Sequence, residues 1–154
     1  MSTQIGPQFT SESLRPALEF IEGYWKKLEK YSPHDDGTLV GLPRPYFIPS
    51  AANETGFSFE EMYYCDSYFI AQGFLGTDRE HLLQGLTEDL MSMQQRFRII
   101  PNAGRMYHTS RSQPPFLSSL IMQVYQSEKS KRLLEQSISV AKDEYRTVWM
   151  GSSH

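Results

Sequence analysis

The sequence predicts an all-α domain of stacked helical hairpins, and three observations predict it. Four stretches carry apolar residues at three- and four-residue spacing, the mark of an amphipathic helix. Two segments dense in glycine, proline and polar residues separate them. No run of alternating β-branched residues is long enough to make a sheet.

The first helix holds Leu14, Leu18, Ile21, Trp25 and Leu28 on one face, with Pro16 in its first turn, and should end near Tyr31, before Ser32-Pro33. From 34 to 57 the chain carries Gly37, Gly41, Pro43, Pro45, Pro49 and Gly56, so a long loop is expected there. A second helix is expected over 58–74. Gly76 and Thr77 then turn the corner into a third, capped by Asp78 and running through Leu82, Leu83, Leu86, Leu90 and Met93. A second irregular stretch covers 98–115. Pro115 opens a helix with Leu117, Leu120, Ile121 and Val124, and a last helix runs from Ser130 to about Trp149.

With 154 residues, the chain is one domain or part of one, here taken as a single unit over 1–154. Fifteen basic against eighteen acidic residues give a net charge of −3, which offers no footprint for nucleic acid or an anionic membrane; a neutral ligand or a protein partner is expected. The longest apolar stretch, Phe116 to Tyr125, is interrupted by polar residues and too short to cross a bilayer. Cys65 is the one cysteine, which excludes an intrachain disulfide and a cysteine-rich metal site. The polar stretch Met1 to Phe9 lacks the pattern of a secretory signal, so a cytoplasmic location is expected. His34, His81, His108 and His154 show no metal spacing, and no cofactor motif is present. His108 reads as a hydrogen-bonding residue, and Cys65 as a small packed residue with nothing to activate it.

Two constellations carry chemistry. The first is Glu60-Glu61-Met62-Tyr63-Tyr64-Cys65-Asp66-Ser67-Tyr68-Phe69, where a helix would set Asp66 on a face with Met62, Tyr63, Phe69 and Ile70. A carboxylate on so apolar a face needs a polar partner: a cation inside a core, or ligand hydroxyls in a cleft. The second runs from Pro101 to Pro115 and places Asn102, Arg105, Arg111 and Gln113 among hydroxyls just ahead of a helix. Sugar hydroxyls both donate and accept, so amides and guanidinium groups suit a sugar pocket. A polar loop capping the next helix would look the same.

In this order the two constellations resemble the signature regions of the trehalase family, approximately PGGRFxExYYWDSY and IPNGxRxYYxxRSQPP. The second is matched by Ile100, Pro101, Asn102, Arg105, Tyr107 and the unbroken Arg111-Ser112-Gln113-Pro114-Pro115; the first by Phe59, Glu61, Tyr63, Tyr64, Asp66, Ser67, Tyr68 and Phe69. The resemblance covers roughly 49–149 and implies the N-terminal α/α hairpins of an incomplete (α/α)6 toroid. It also implies inverting hydrolysis of trehalose by a carboxylic acid and a carboxylate base.

By resemblance, Asp66, Asn102, Arg111 and Gln113 are the substrate-binding positions, and 34–57 and 98–115 the ligand-facing loops. The family's acid and base are expected on later hairpins, past His154, so no catalytic residue is assigned and the isolated chain is expected to be inactive. Two positions depart from the pattern: Ser58 stands where the family has an arginine, and Cys65 where it has a tryptophan. Losing a donor fork and a stacking surface bears on specificity, so a glycosidase for another small glucoside is an alternative. A non-catalytic helical module that binds sugar or protein is another.

Overall fold

The protein is described here as a computed structural model, which covers residues 11–52, 56 and 58–151. Among these, five α-helices are present: α1 (Ser11–Leu28), α2 (Tyr64–Gln72), α3 (Leu82–Phe97), α4 (Leu117–Glu128) and α5 (Lys131–Glu144). The all-α expectation holds. α3 packs against both α4 and α5, and α4 and α5 pack against each other as a tight hairpin. That hairpin turns at Lys129, which is left-handed (φ 55°) and returns its N–H to the Tyr125 carbonyl at 2.8 Å. Ser130 then caps α5 by accepting from the Leu133 N–H at 3.3 Å.

The periodic positions of α3, α4 and α5 build the core. Leu83, Leu86, Leu90 and Met93 face Leu117, Leu120, Ile121 and Val124, with Leu133 and Val140 closing the third side. α5 runs on into a π-helical turn, Tyr145–Trp149, so the expected last helix is present with a widened final turn.

Three expectations need correction. The second helix begins at Tyr64, not Ser58, because the backbone of Met62 and Tyr63 is engaged in pairing with the loop around Ala103. Asp78 does not cap α3: its side chain pairs with the Arg79 guanidinium at 3.1 Å, and the chain makes turns until α3 starts at Leu82. A small antiparallel sheet exists, β1 (Glu29–Lys30) with β2 (Tyr46–Phe47), too short to leave any periodicity in the sequence.

α1 also departs in detail. Pro16 lies inside it beyond the first described turn, where it removes one intrahelical hydrogen bond at a solvent-exposed stretch. Its apolar face is there, but Leu14, Leu18 and Ile21 are exposed; the helix meets the body through Trp25 and Leu28 and through an ion pair from Glu22 to Arg79. No helix among the described residues is long and apolar enough to cross a membrane.

Candidate sugar-binding site

Both signature segments come together at the N-terminal end of α2, joined by main-chain hydrogen bonds. Tyr63 bridges Ala103, the Gly104 N–H donates to the Met62 carbonyl at 2.8 Å, and the Tyr64 N–H donates to the Asn102 carbonyl at 3.3 Å. The Asn102 N–H in turn donates to the Arg111 carbonyl at 2.8 Å, which folds 102–111 into a closed loop. A third segment joins them, since Leu39 bridges Arg105 and the Met106 N–H donates to the Thr38 carbonyl at 2.8 Å. The loop over 34–42 is therefore stitched to the second signature segment.

This frame links all four residues named from the sequence. Asp66 sits in the first turn of α2, half-buried, and its carboxylate accepts no hydrogen bond from any described residue. The bland alternative, a structural ion pair in the core, is therefore not what the fold provides. Gln113 reaches across from the second segment, and its Oε1 accepts from the Cys65 N–H at 2.6 Å. It serves as an N-terminal cap for α2 supplied from another part of the chain, satisfying one of the helix's free donors. Its amide NH2 keeps both hydrogens for other partners. Asn102 holds the frame through its backbone and has no described side-chain partner. Arg111 is exposed, and its Nη2 lies 3.3 Å from His108 Nδ1, so His108 does act as a hydrogen-bonding residue.

The aromatics of the first constellation divide. Tyr64 is fully buried, Tyr68 stacks on Phe116 with ring centroids 4.2 Å apart, and Phe69 is exposed. Tyr64 turns its hydroxyl into the core, away from any ligand role: it donates to Glu144 at 2.6 Å and accepts from the Leu117 N–H at 2.7 Å.

The sequence reading gave no role to the group that holds the site together electrostatically. Glu61, buried, receives the Arg105 guanidinium through Nε at 3.1 Å and Nη2 at 3.0 Å, the Tyr63 hydroxyl at 3.0 Å and the Glu60 N–H at 3.3 Å. Arg105 also donates to Thr38 Oγ1 at 3.2 Å, so one ion pair ties three segments. Burial alone would raise the Glu61 carboxyl, but the bonds from Tyr63 and Arg105 outweigh it and hold it below its ordinary value. The signal was in the sequence, since Glu61 and Arg105 both fall on motif positions; motif membership does not distinguish a residue that touches ligand from one that holds the frame.

The two departures are structurally quiet. Ser58 Oγ donates to the Phe59 carbonyl at 3.1 Å, a local bond in place of a donor fork. Burial and the adjacent Asp66 push the Cys65 thiol up, so little thiolate forms there. No cluster of three His, Cys, Asp or Glu among the described residues is placed to hold a metal ion. A depression of about 310 Å³ is lined by Arg44, His81, Gln84 and Glu88, none of them a residue named above for the site.

Comparison with known proteins bears on the family and the fold. Residues 3–154 match the sequence profile of the trehalase family. The chain belongs to the trehalase family. It is 31% identical to a trehalase of Arabidopsis thaliana over 150 residues, covering 94% of this chain and 23% of that protein. A trehalase of Apis mellifera is 29% identical over 148 residues, again with 94% of this chain and 24% of the relative. Among solved structures, the neutral trehalase of Saccharomyces cerevisiae superposes with a TM-score of 0.62 at 31% identity, over 80% of this chain and 22% of that one. The chain thus spans about a quarter of the length of these three relatives.

Proposed function

We propose that this chain forms part of the sugar-binding wall of a trehalase-type inverting glycoside hydrolase, contributing substrate contacts and no catalytic acid or base. The observation that carries the reading is the half-buried Asp66 carboxylate, unpartnered, on a helix terminus that Gln113 and the Asn102–Arg111 loop surround. A carboxylate in that setting accepts from ligand hydroxyls, while Arg111 and the free amide hydrogens of Gln113 and Asn102 donate. The ligand is trehalose, and the loops over 34–57, of which 53–55 and 57 lie outside the described residues, and 98–115 face it.

Inverting hydrolysis requires two carboxyl groups roughly 6.5–9.5 Å apart, one protonated and one ionised. Of the three signature-region carboxyls, Glu60 is paired with Lys30 at 3.0 Å, and Glu61 is committed to Arg105 and Tyr63 and held ionised, which makes it a poor acid. Asp66 alone does not make a pair, so the acid and base come from elsewhere in the whole enzyme. Titrating the chain with trehalose while following Asp66, Asn102, Arg111 and Gln113 resonances tests the site: shifts confined to these residues support it, and their indifference up to several hundred millimolar sugar, roughly a thousandfold above a tight site's range, removes it. Release of glucose by this chain would overturn the division of labour.

Ser58 and Cys65 favour a second reading, in which the substrate is another small glucoside. The serine hydroxyl is spent on a neighbouring carbonyl and the thiol offers no stacking face, so both replace strong sugar contacts. A side-by-side titration with trehalose and a glucosyl glycerate separates the two.

A further inference from the structure

We propose that Tyr63 is a further specificity-determining residue of this site, whose phenol oxygen accepts a hydrogen bond from a ligand hydroxyl because its own hydrogen is held by the Glu61–Arg105 pair. The inference rests on the sugar-site reading and adds a residue and a polarity to it.

Tyr63 lies one residue before α2 and three before Asp66, with its backbone paired to Ala103. Its ring packs edge-on against Phe59 with centroids 5.5 Å apart, which fixes the ring plane. The hydroxyl donates to Glu61 Oε1 at 3.0 Å. That acceptor is a carboxylate kept ionised and in place by two bonds from Arg105, which Thr38 anchors from the far side. A phenol has one hydrogen and can also accept. With the hydrogen aimed at a buried anion, the oxygen is left as an acceptor only. Tyr63 is half-buried and within electrostatic reach of both Asp66 and Tyr107, so it sits at the site's edge. Burial, and after it the Glu61 bond, push its hydroxyl up to about 12, so it stays a neutral phenol at any ordinary pH.

Two acceptor-only groups, Asp66 and Tyr63, then face ligand positions that must carry hydrogen-bond donors. A hydroxyl satisfies such a position; a fluorine of similar size, which cannot donate, does not. Glu61 and Arg105 are positioning residues in this scheme and do not touch the sugar.

The test is a titration of the 154-residue chain with trehalose and with a panel of its monodeoxyfluoro analogues, followed by chemical shift. The Tyr63→Phe variant, which keeps the ring against Phe59, should bind trehalose about 2- to 10-fold more weakly, the range of one hydrogen bond. One analogue should lose the same factor on the unaltered chain and lose nothing further on Tyr63→Phe. Glu61→Gln should narrow the penalty against that analogue, because a hydrogen no longer held by a charge is free to turn toward fluorine; a purely structural role would leave selectivity unmoved. If trehalose binds the unaltered chain and Asp66→Asn weakens it while Tyr63→Phe does not, or if no single fluorine weakens binding, the Tyr63 assignment is overturned and the site stands. If the unaltered chain shows no trehalose shifts at the site, the sugar reading falls and this proposal with it.

Discussion

The Tyr64 hydroxyl donates to the Glu144 carboxylate at 2.6 Å across eighty positions of sequence, and accepts from the Leu117 N–H at 2.7 Å. One buried oxygen thus closes α5 onto α2 and satisfies a donor in the first turn of α4. Burial pushes the Glu144 carboxyl up despite the bond from Tyr64. Tyr64→Phe leaves both partners unpaired in the core and should cost about 2–4 kcal/mol, read as a lowered urea midpoint with unchanged m-value. A loss below about 1 kcal/mol would mean that water replaces the hydroxyl.

Asp66→Asn should separate stability from binding. The carboxylate has no described partner, so removing its charge from a half-buried position should leave the fold as stable or raise it by about 0.5–1 kcal/mol. Trehalose affinity should fall by about tenfold or more, since charged hydrogen bonds are the stronger kind. A variant that loses stability instead would assign Asp66 to the frame.

Gln113 caps α2 and, on the proposed reading, also donates to the sugar; two substitutions tell these roles apart. Gln113→Ala removes the acceptor for the Cys65 N–H and should cost about 1 kcal/mol. Gln113→Glu keeps an acceptor at the helix N-terminus but has no amide hydrogens, so thermal stability should be largely kept while sugar binding weakens. Equal loss of binding in both variants with equal loss of stability would leave Gln113 only its capping role.

Gly41 is required by space. A β-carbon there would lie 2.5 Å from the His34 carbonyl carbon and 2.7 Å from the Asp35 nitrogen, both backbone atoms that cannot swing away. Gly41→Ala should cost about 1–3 kcal/mol and loosen the 34–42 loop from the second signature segment, visible as faster amide exchange at Val40 and Met106. Unchanged exchange at those amides would show that the loop shifts as a body.

Asp89 gives a pH signature. It is fully buried, its Oδ1 accepts from the Arg44 N–H at 2.8 Å, its Oδ2 has no described partner, and burial pushes its carboxyl up to about 8. Between about pH 4 and pH 8 the folded chain keeps a proton that the unfolded chain has lost, so this group's contribution to stability declines as pH rises through that window and levels off above it. Asp35 runs the other way: the bond from Arg96, then that from the Gly41 N–H, lowers its carboxyl, so its contribution is present above the unfolded value and disappears in acid. Asp89→Asn should flatten the decline from pH 5 to pH 8 in a thermal melting series; an unaltered slope would place the burden on Glu144.

Much of this was legible because helices repeat. Leu83, Leu86, Leu90 and Met93, and Leu117, Leu120, Ile121 and Val124, announce their buried faces by spacing, and they are buried. The start of α2 was not legible, since Glu60 to Tyr63 have a helical composition and long-range partners hold them out of the helix, among them the pairing of Met62 and Tyr63 with residues some forty positions away. Asp78 looked like a cap because local rules favour it there, yet Arg79 takes its carboxylate. In the site, the spaced motif identified which residues gather. It could not sort Tyr64, which faces the core, from Asp66, which does not, because both are motif positions two residues apart on one helical turn.

The frame of the site is built from distant partners: Glu61 with Arg105, Cys65 with Gln113, and Tyr64 with Glu144. During synthesis, therefore, the first signature segment emerges from the ribosome long before anything can hold it. Its exposed aromatics must wait for α5, and at about 5–20 residues per second the eighty positions between Tyr64 and Glu144 amount to several seconds. On the proposed reading the binding wall is thus a late product of translation, and slow codons or a nascent-chain chaperone acting between residues 70 and 144 should change its yield.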